Sequence, residues 1–109
     1  LNPDSPYLQY IEEGKITYED PYIEEREKFE SAENIIQANP DSAVILFEKL
    51  VSTEKDHPYQ GKSAANIGWI YENIEYDLDN SLKWYSMVVD SFPKSDAVQI
   101  ANQKAKSGG

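Results

Sequence analysis

Apolar residues recur at helical spacing in two neighbouring stretches of the chain. In residues 63–74, Ala64, Ile67, Gly68 and Tyr71 follow one another at three- and four-residue steps, which put side chains on one helix face. In residues 81–92 the same spacing links Ser81, Leu82, Tyr85, Val88, Val89 and Phe92, and Pro93 ends the pattern. Residues 75–80 between them are polar and typical of a turn. The pattern predicts two helices packed as a hairpin, with Gly68 at their contact.

These residues resemble a tetratricopeptide repeat, whose consensus is W-x2-L-G-x2-Y followed by Ala, an aromatic residue and Pro. The matching residues, in order, are Ala64, Ile67, Gly68, Tyr71, Ser81, Tyr85 and Pro93. The chain departs from the consensus at Ala64, which stands in the Trp place, at Ser81, which stands in the Ala place, and by one extra residue in the turn. The resemblance implies a tetratricopeptide-like hairpin, and an unrelated helical hairpin is the alternative.

An earlier and less regular hairpin has related spacing. Residues 22–38 predict a helix with an apolar face of Tyr22, Phe29, Ala32, Ile35 and Ile36. Residues 42–53 predict a second helix, capped by Asp41 or Ser42. Its Ala43, Phe47 and Leu50 precede Ser81, Tyr85 and Val88 by 38 residues each. This offset lies near the repeat period of about 34 residues, so we predict two repeats, the first imperfect.

A last helix over residues 95–106, begun by Ser95, is predicted to cover the final apolar face. Residues 1–20 form a predicted N-terminal arm, in which Ser5-Pro6 is typical of a helix start. The predicted fold is therefore all-α: an arm (1–20), a helical-repeat domain (21–106) with hairpins at 21–56 and 59–92 and a capping helix, and a flexible end (107–109).

Composition narrows the classes of partner. The 109 residues include 10 basic and 20 acidic side chains, a formal net charge of −10, which argues against nucleic acid because phosphate contacts need clustered Lys and Arg. Cysteine is absent, so disulfides and thiolate sites are excluded. No apolar run approaches the roughly 20 residues that span a bilayer, so we expect no membrane insertion by this segment.

Residue types that support catalysis or metal binding are sparse. His57 is the one histidine, and its Lys-Asp-His-Pro context predicts a surface turn. Glu75, Asp77 and Asp79 alternate as in a calcium loop, but Asn80 stands where an EF-hand needs Gly and Ser86 where it needs Glu. We therefore predict no enzyme activity, no catalytic residue, no metal site and no cofactor.

Trp69 lies next to Gly68 but off the predicted buried face. In the repeat alignment it points toward a groove and is the central residue of a predicted protein-binding set: Lys62, Ala65, Asn66, Trp69, Glu72 and Asn73. Asn66 and Asn73 are expected to bond a peptide backbone, and Lys62 to select a carboxylate. The alternative is that Trp69 packs under the N-terminal arm or a neighbouring helix.

The stretch WYSMVVDSFPKSDA at residues 84–97, with His57-Pro58-Tyr59, is similar to bacterial envelope repeat proteins. That group includes the lipoprotein of the outer-membrane barrel-assembly machinery and the periplasmic coordinator of the Tol–Pal system. The resemblance implies a non-enzymatic scaffold that binds protein or peptide in a cell-envelope assembly, periplasmic or outer-membrane-associated, although a cytoplasmic setting stays open. The chain begins at Leu1 and its one methionine is Met87, so we expect that residues precede it.

Two other classes of function stay open. A small architectural subunit of a larger membrane or extracellular complex would dock through its N-terminal arm, which would be ordered only with the partner. A ligand-binding accessory domain would have a deep pocket near Trp69.

Overall fold

The computed structural model describes residues 21–54 and 56–107, which form five α-helices. Their bounds are α1 Ile23–Asn34, α2 Pro40–Val51, α3 Tyr59–Asn73, α4 Leu78–Ser91 and α5 Val98–Ser107. Each helix packs against the next along the chain, and α1 also contacts α3. The prediction of an all-α fold built from helical hairpins is confirmed. The predicted arm lies outside the described residues, and Ser107, which we assigned to a flexible end, is the last residue of α5.

The structure corrects two predicted helix boundaries in the first hairpin. The cap of α2 is Asn39, whose side-chain oxygen accepts a hydrogen bond from the Ser42 backbone N–H at 3.2 Å. The prediction of Asp41 or Ser42 was wrong because Pro40 occupies the first helical turn, where its missing N–H forfeits no bond. α1 ends at Asn34, four residues before its predicted end, and residues 35–38 form a turn.

Two apolar clusters make up the core, and α3 contributes to both. The first joins α1, α2 and α3 through Phe29, Ala32, Ala43, Phe47, Leu50, Ile67 and Ile70. Within it the rings of Phe29 and Phe47 pack edge to face with centroids 5.7 Å apart. The second joins α3, α4 and α5 through Ala64, Ala65, Tyr85, Val88 and Ala101. α3 is therefore the central element of the fold.

Glycine and serine allow α3 and α4 to approach closely, as the hairpin pattern predicts. A Cβ atom on Gly68 would lie 3.1 Å from Cδ1 and Cε1 of Tyr85. Beside it the Ser81 hydroxyl donates to the Gly68 carbonyl at 2.9 Å. Any larger side chain at position 68 would displace the Tyr85 ring, so Gly68 sets the spacing of this hairpin.

His57 is buried, which corrects the prediction of a surface turn residue. Its side chain is 8 % exposed, and the Tyr59 backbone N–H donates to its Nδ1 at 3.1 Å. Because Nδ1 accepts, the ring proton lies on Nε2, which is 3.0 Å from the Leu50 carbonyl and 2.9 Å from Thr53 Oγ1. His57 thus connects the end of α2 to the start of α3.

Candidate functional site

The six predicted binding residues all lie on α3, between α1 on one side and α5 on the other. The Tyr59 ring at the start of α3 packs on Phe29 of α1, with centroids 5.2 Å apart. Near its other end, Glu72 pairs with Lys104 of α5 at 3.1 Å. We call the face shared by these helices the α1/α3/α5 surface, and it comprises Glu33, Lys62, Asn66, Trp69, Glu72, Asn73 and Lys104.

Trp69 is the large apolar side chain at the middle of this surface. It is 40 % exposed, although its neighbours Ile67, Gly68 and Ile70 are buried. The burial of the adjacent residues fixes the helix against the core, so the exposed indole is held on a rigid element. Large aromatic side chains on a rigid surface are typical anchors of protein interfaces.

The two asparagines make contacts that the sequence analysis did not predict. Asn66 donates from Nδ2 to a Glu33 carboxylate oxygen at 3.3 Å, which links α3 to α1. Asn73 donates from Nδ2 to the Trp69 carbonyl at 3.1 Å. Both amides were predicted to bond outward to a peptide backbone, but the Nδ2 group of Asn73 bonds a carbonyl of its own helix. Both side chains retain an amide oxygen that accepts no bond within the described part of the chain.

Two other residues of the predicted set, Ala65 and Lys62, do not have the surroundings that were expected of them. Ala65 is 9 % exposed and belongs to the second core cluster with Tyr85 and Ala101, so it is a packing residue. Lys62 places its ammonium 5.3 Å from the centroid of the Tyr59 ring, within the range of a cation–π contact.

Glu72 ties together three helices. One carboxylate oxygen accepts from the Tyr85 hydroxyl at 2.9 Å, and the other accepts from Lys104 Nζ at 3.1 Å. Burial, the hydrogen bond to Glu72 and the charge of that carboxylate together raise the pKa of Tyr85. The Glu72 carboxylate therefore stabilises the α3–α4–α5 packing as well as facing the surface.

The cavities on the described surface include one at each end of α3. One of about 450 Å³ is lined by Glu72, Leu78, Ser81, Leu82, Tyr85, Gln103 and Lys104. The other, of about 490 Å³, lies at the opposite end of α3 between the α2–α3 and α4–α5 turns, and His57, Gly61, Phe92 and Ser95 are among its lining residues. Trp69 lines neither cavity, so neither supplies the pocket near Trp69 that a ligand-binding domain would need.

The turn compared with a calcium loop has a different role. Asp77 is the cap of α4: one carboxylate oxygen accepts from the Asn80 backbone N–H at 3.2 Å and the other from Asn80 Nδ2 at 2.7 Å. Over residues 21–54 and 56–107, no three His, Asp or Glu side chains converge as a metal site would require. In the same part of the chain, no helix has the length and apolar character to cross a bilayer.

Sequence reasoning missed Glu33 and Lys104, which face the predicted α3 residues from neighbouring helices. Each meets a partner more than 30 residues away in the chain, at Asn66 and Glu72 respectively. The spacing of residues in a helix predicts which of them share a face of that helix. It does not predict which side chains of other helices will contact that face.

Comparison of the chain with protein-family models, with curated proteins and with solved structures found no match.

Proposed function

We propose that this protein is a non-enzymatic binding module that holds a polypeptide segment on its α1/α3/α5 surface. The observation that carries the proposal is the exposed indole of Trp69 in the C-terminal half of α3, the helix shared by both core clusters. Burying such a side chain against a partner removes apolar area from water without ordering the helix that presents it.

The polar residues beside Trp69 suit a polypeptide. The amide oxygens of Asn66 and Asn73 lie one helical turn to either side of the indole, where they accept backbone N–H groups of a bound segment.

We further propose that the module acts as a scaffold in a bacterial cell-envelope assembly, in a periplasmic or outer-membrane-associated setting. The similarity of residues 57–59 and 84–97 to envelope repeat proteins supports this setting. Immunoblotting of fractionated source cells tests it: we expect the protein in the periplasmic or outer-membrane fraction, and recovery in the cytosol contradicts it.

The binding proposal is tested with a displayed library of random linear peptides selected on the full chain. Truncating a central aromatic anchor typically costs at least about 2 kcal/mol, so Trp69→Ala should weaken the selected peptides by roughly 30-fold. Ile45→Ala is the matched control, because Ile45 is 54 % exposed on α2 and lies away from this surface. It should leave the dissociation constant unchanged, and circular dichroism should show equal helicity for both variants.

The architectural-subunit alternative predicts a different pattern. Glu24→Gln with Glu25→Gln, at the start of α1 beside the N-terminal arm, would then abolish binding while Trp69→Ala retained it. That result would move the interface to the arm and contradict our proposal.

A further inference from the structure

We infer that the segment bound on the α1/α3/α5 surface presents an arginine whose guanidinium lies between the Trp69 indole and the Glu33 carboxylate. This inference rests on the proposed function, and it specifies the chemistry of the partner. The partner group is then positively charged, whereas the sequence analysis predicted that Lys62 selects a negatively charged carboxylate.

Glu33 is an exposed carboxylate with a neutral partner. It accepts a hydrogen bond from the Asn66 amide at 3.3 Å, and no Lys or Arg of the described chain forms an ion pair with it. Glu30, one turn earlier on α1 and also exposed, is likewise without an ion pair to any described residue. The α1 side of the surface therefore has negative charge that no described cation compensates.

Both lysines of this surface make contacts with groups other than Glu33. Lys62 lies over the Tyr59 ring at 5.3 Å, and Lys104 bonds to Glu72 at 3.1 Å. The formal charge of the whole chain is −10, so the wider field also attracts a basic partner. A partner carboxylate would meet this field and the Glu33 charge, and Lys62 is the lysine of this surface that has no carboxylate partner among the described residues.

The spacing of the side chains suits arginine. Asn66 and Trp69 are three residues apart on α3, so their Cβ atoms lie about 5–6 Å from each other on one face. Glu33 accepts a hydrogen bond from Asn66, so its carboxylate meets α3 one helical turn before Trp69. An arginine has a planar guanidinium that stacks on an indole while its N–H groups donate to a carboxylate, and it is longer and more weakly hydrated than other cations of proteins.

The test uses the full chain and a positional-scanning library of acetylated octapeptides, in which one position at a time is fixed as Arg, Lys, Asp, Glu or Leu. Binding is measured by fluorescence anisotropy of labelled peptide pools. We expect the pools with fixed Arg to bind best. An exposed ion pair is worth up to about 1 kcal/mol, so Glu33→Gln should weaken the best Arg pool about threefold to fivefold and leave the Leu pools unchanged.

Glu24→Gln is the matched control. Glu24 is an exposed glutamate nine residues before Glu33, which places it on the opposite side of α1, so the change should not alter binding of any pool. It removes the same charge as Glu33→Gln and therefore separates a local contact from the effect of net charge.

Preference for Asp or Glu pools would favour the Lys62 prediction and overturn this inference, and so would equal weakening by the two glutamate variants. In either case the proposed function survives if Trp69→Ala still weakens binding. If no pool binds the parent chain better than it binds Trp69→Ala, both the inference and the proposed function are wrong.

Discussion

Gly61 allows the closest approach between α3 and the turn that joins α4 to α5. A Cβ atom at this position would overlap both Cβ and Oγ of Ser95 and would lie 3.2 Å from Cβ of Phe92. The sequence pattern singled out Gly68 but not Gly61, because Gly61 contacts a turn and has no partner at helical spacing.

Gly61→Ala should lower the free energy of unfolding by about 1–3 kcal/mol, the usual cost of overpacking, although alanine favours helix by up to about 1 kcal/mol over glycine. Chemical denaturation measures the change. In a Ser95→Gly background the obstructing side chain is gone, so the same substitution should cost much less. An equal loss in both backgrounds would show that Ser95 is not the obstacle.

Tyr85 should make the free energy of unfolding depend on pH in the alkaline range. Burial, then its hydrogen bond to Glu72 and the Glu72 charge, raise the pKa of Tyr85 above its usual value of about 10. The unfolded chain therefore loses this proton at lower pH than the folded protein does. The stabilisation is complete below about pH 10, and the free energy of unfolding should fall by up to about 1.4 kcal/mol per pH unit above it.

Tyr85→Phe is the control for this pH dependence. It removes the titrating hydroxyl and keeps the buried ring, so denaturation between pH 9 and 11 should show a shallower loss of stability than in the parent chain. Some slope should remain, because burial and nearby carboxylates also raise the pKa of Tyr71. An unchanged slope would mean that Tyr85 does not titrate differently in the folded and unfolded states.

At the scale of the element, helix starts depend on single side chains. Asn39→Ala should destabilise the protein by about 1 kcal/mol, because it removes the oxygen that accepts the Ser42 N–H at the start of α2. Ser42→Ala is the informative comparison: the backbone N–H remains, so the loss should be smaller. Thermal melts of the two variants measure both losses. A larger loss of stability for Ser42→Ala than for Asn39→Ala would support Ser42 as the cap, as one of the two sequence predictions had it.

The helices themselves were predictable because their apolar spacing and their stop residues are local. Gly68, Ser81 and Tyr85 indicated the hairpin contact in sequence, and the structure has it. Boundaries were less predictable, since Asn39, Asp41 and Ser42 are all suitable caps and the competition among them is decided by Pro40. The burial of His57 was not predictable, because it depends on the approach of α2 to α3.

The candidate surface was predictable only in part, because helical spacing is a local property of each helix. Helical spacing placed Asn66 and Trp69 on one face of α3, but it did not show that Ala65 packs on α5 or that Glu33 faces Asn66. These contacts depend on how the helices stack, so the charge chemistry of the surface required the three-dimensional structure.

At the scale of the whole molecule, α3 joins two cores and presents one aromatic side chain outward. α1 contributes the carboxylate of Glu33 on one side of this helix, and α5 is bound to it through Lys104 on the other. The exposed indole therefore lies on a well-packed helix, because the residues next to it are buried in the core.

Mapping of NMR chemical shifts with a selected peptide tests the binding proposal most directly. As peptide is titrated into the full chain, the largest shifts should occur at the Trp69 indole N–H, the Asn66 side-chain amide and the backbone amide of Glu33. Shifts concentrated at Phe92 and Ser95 around the cavity that His57 and Gly61 also line, with the Trp69 indole N–H signal unmoved, would contradict binding on the α1/α3/α5 surface.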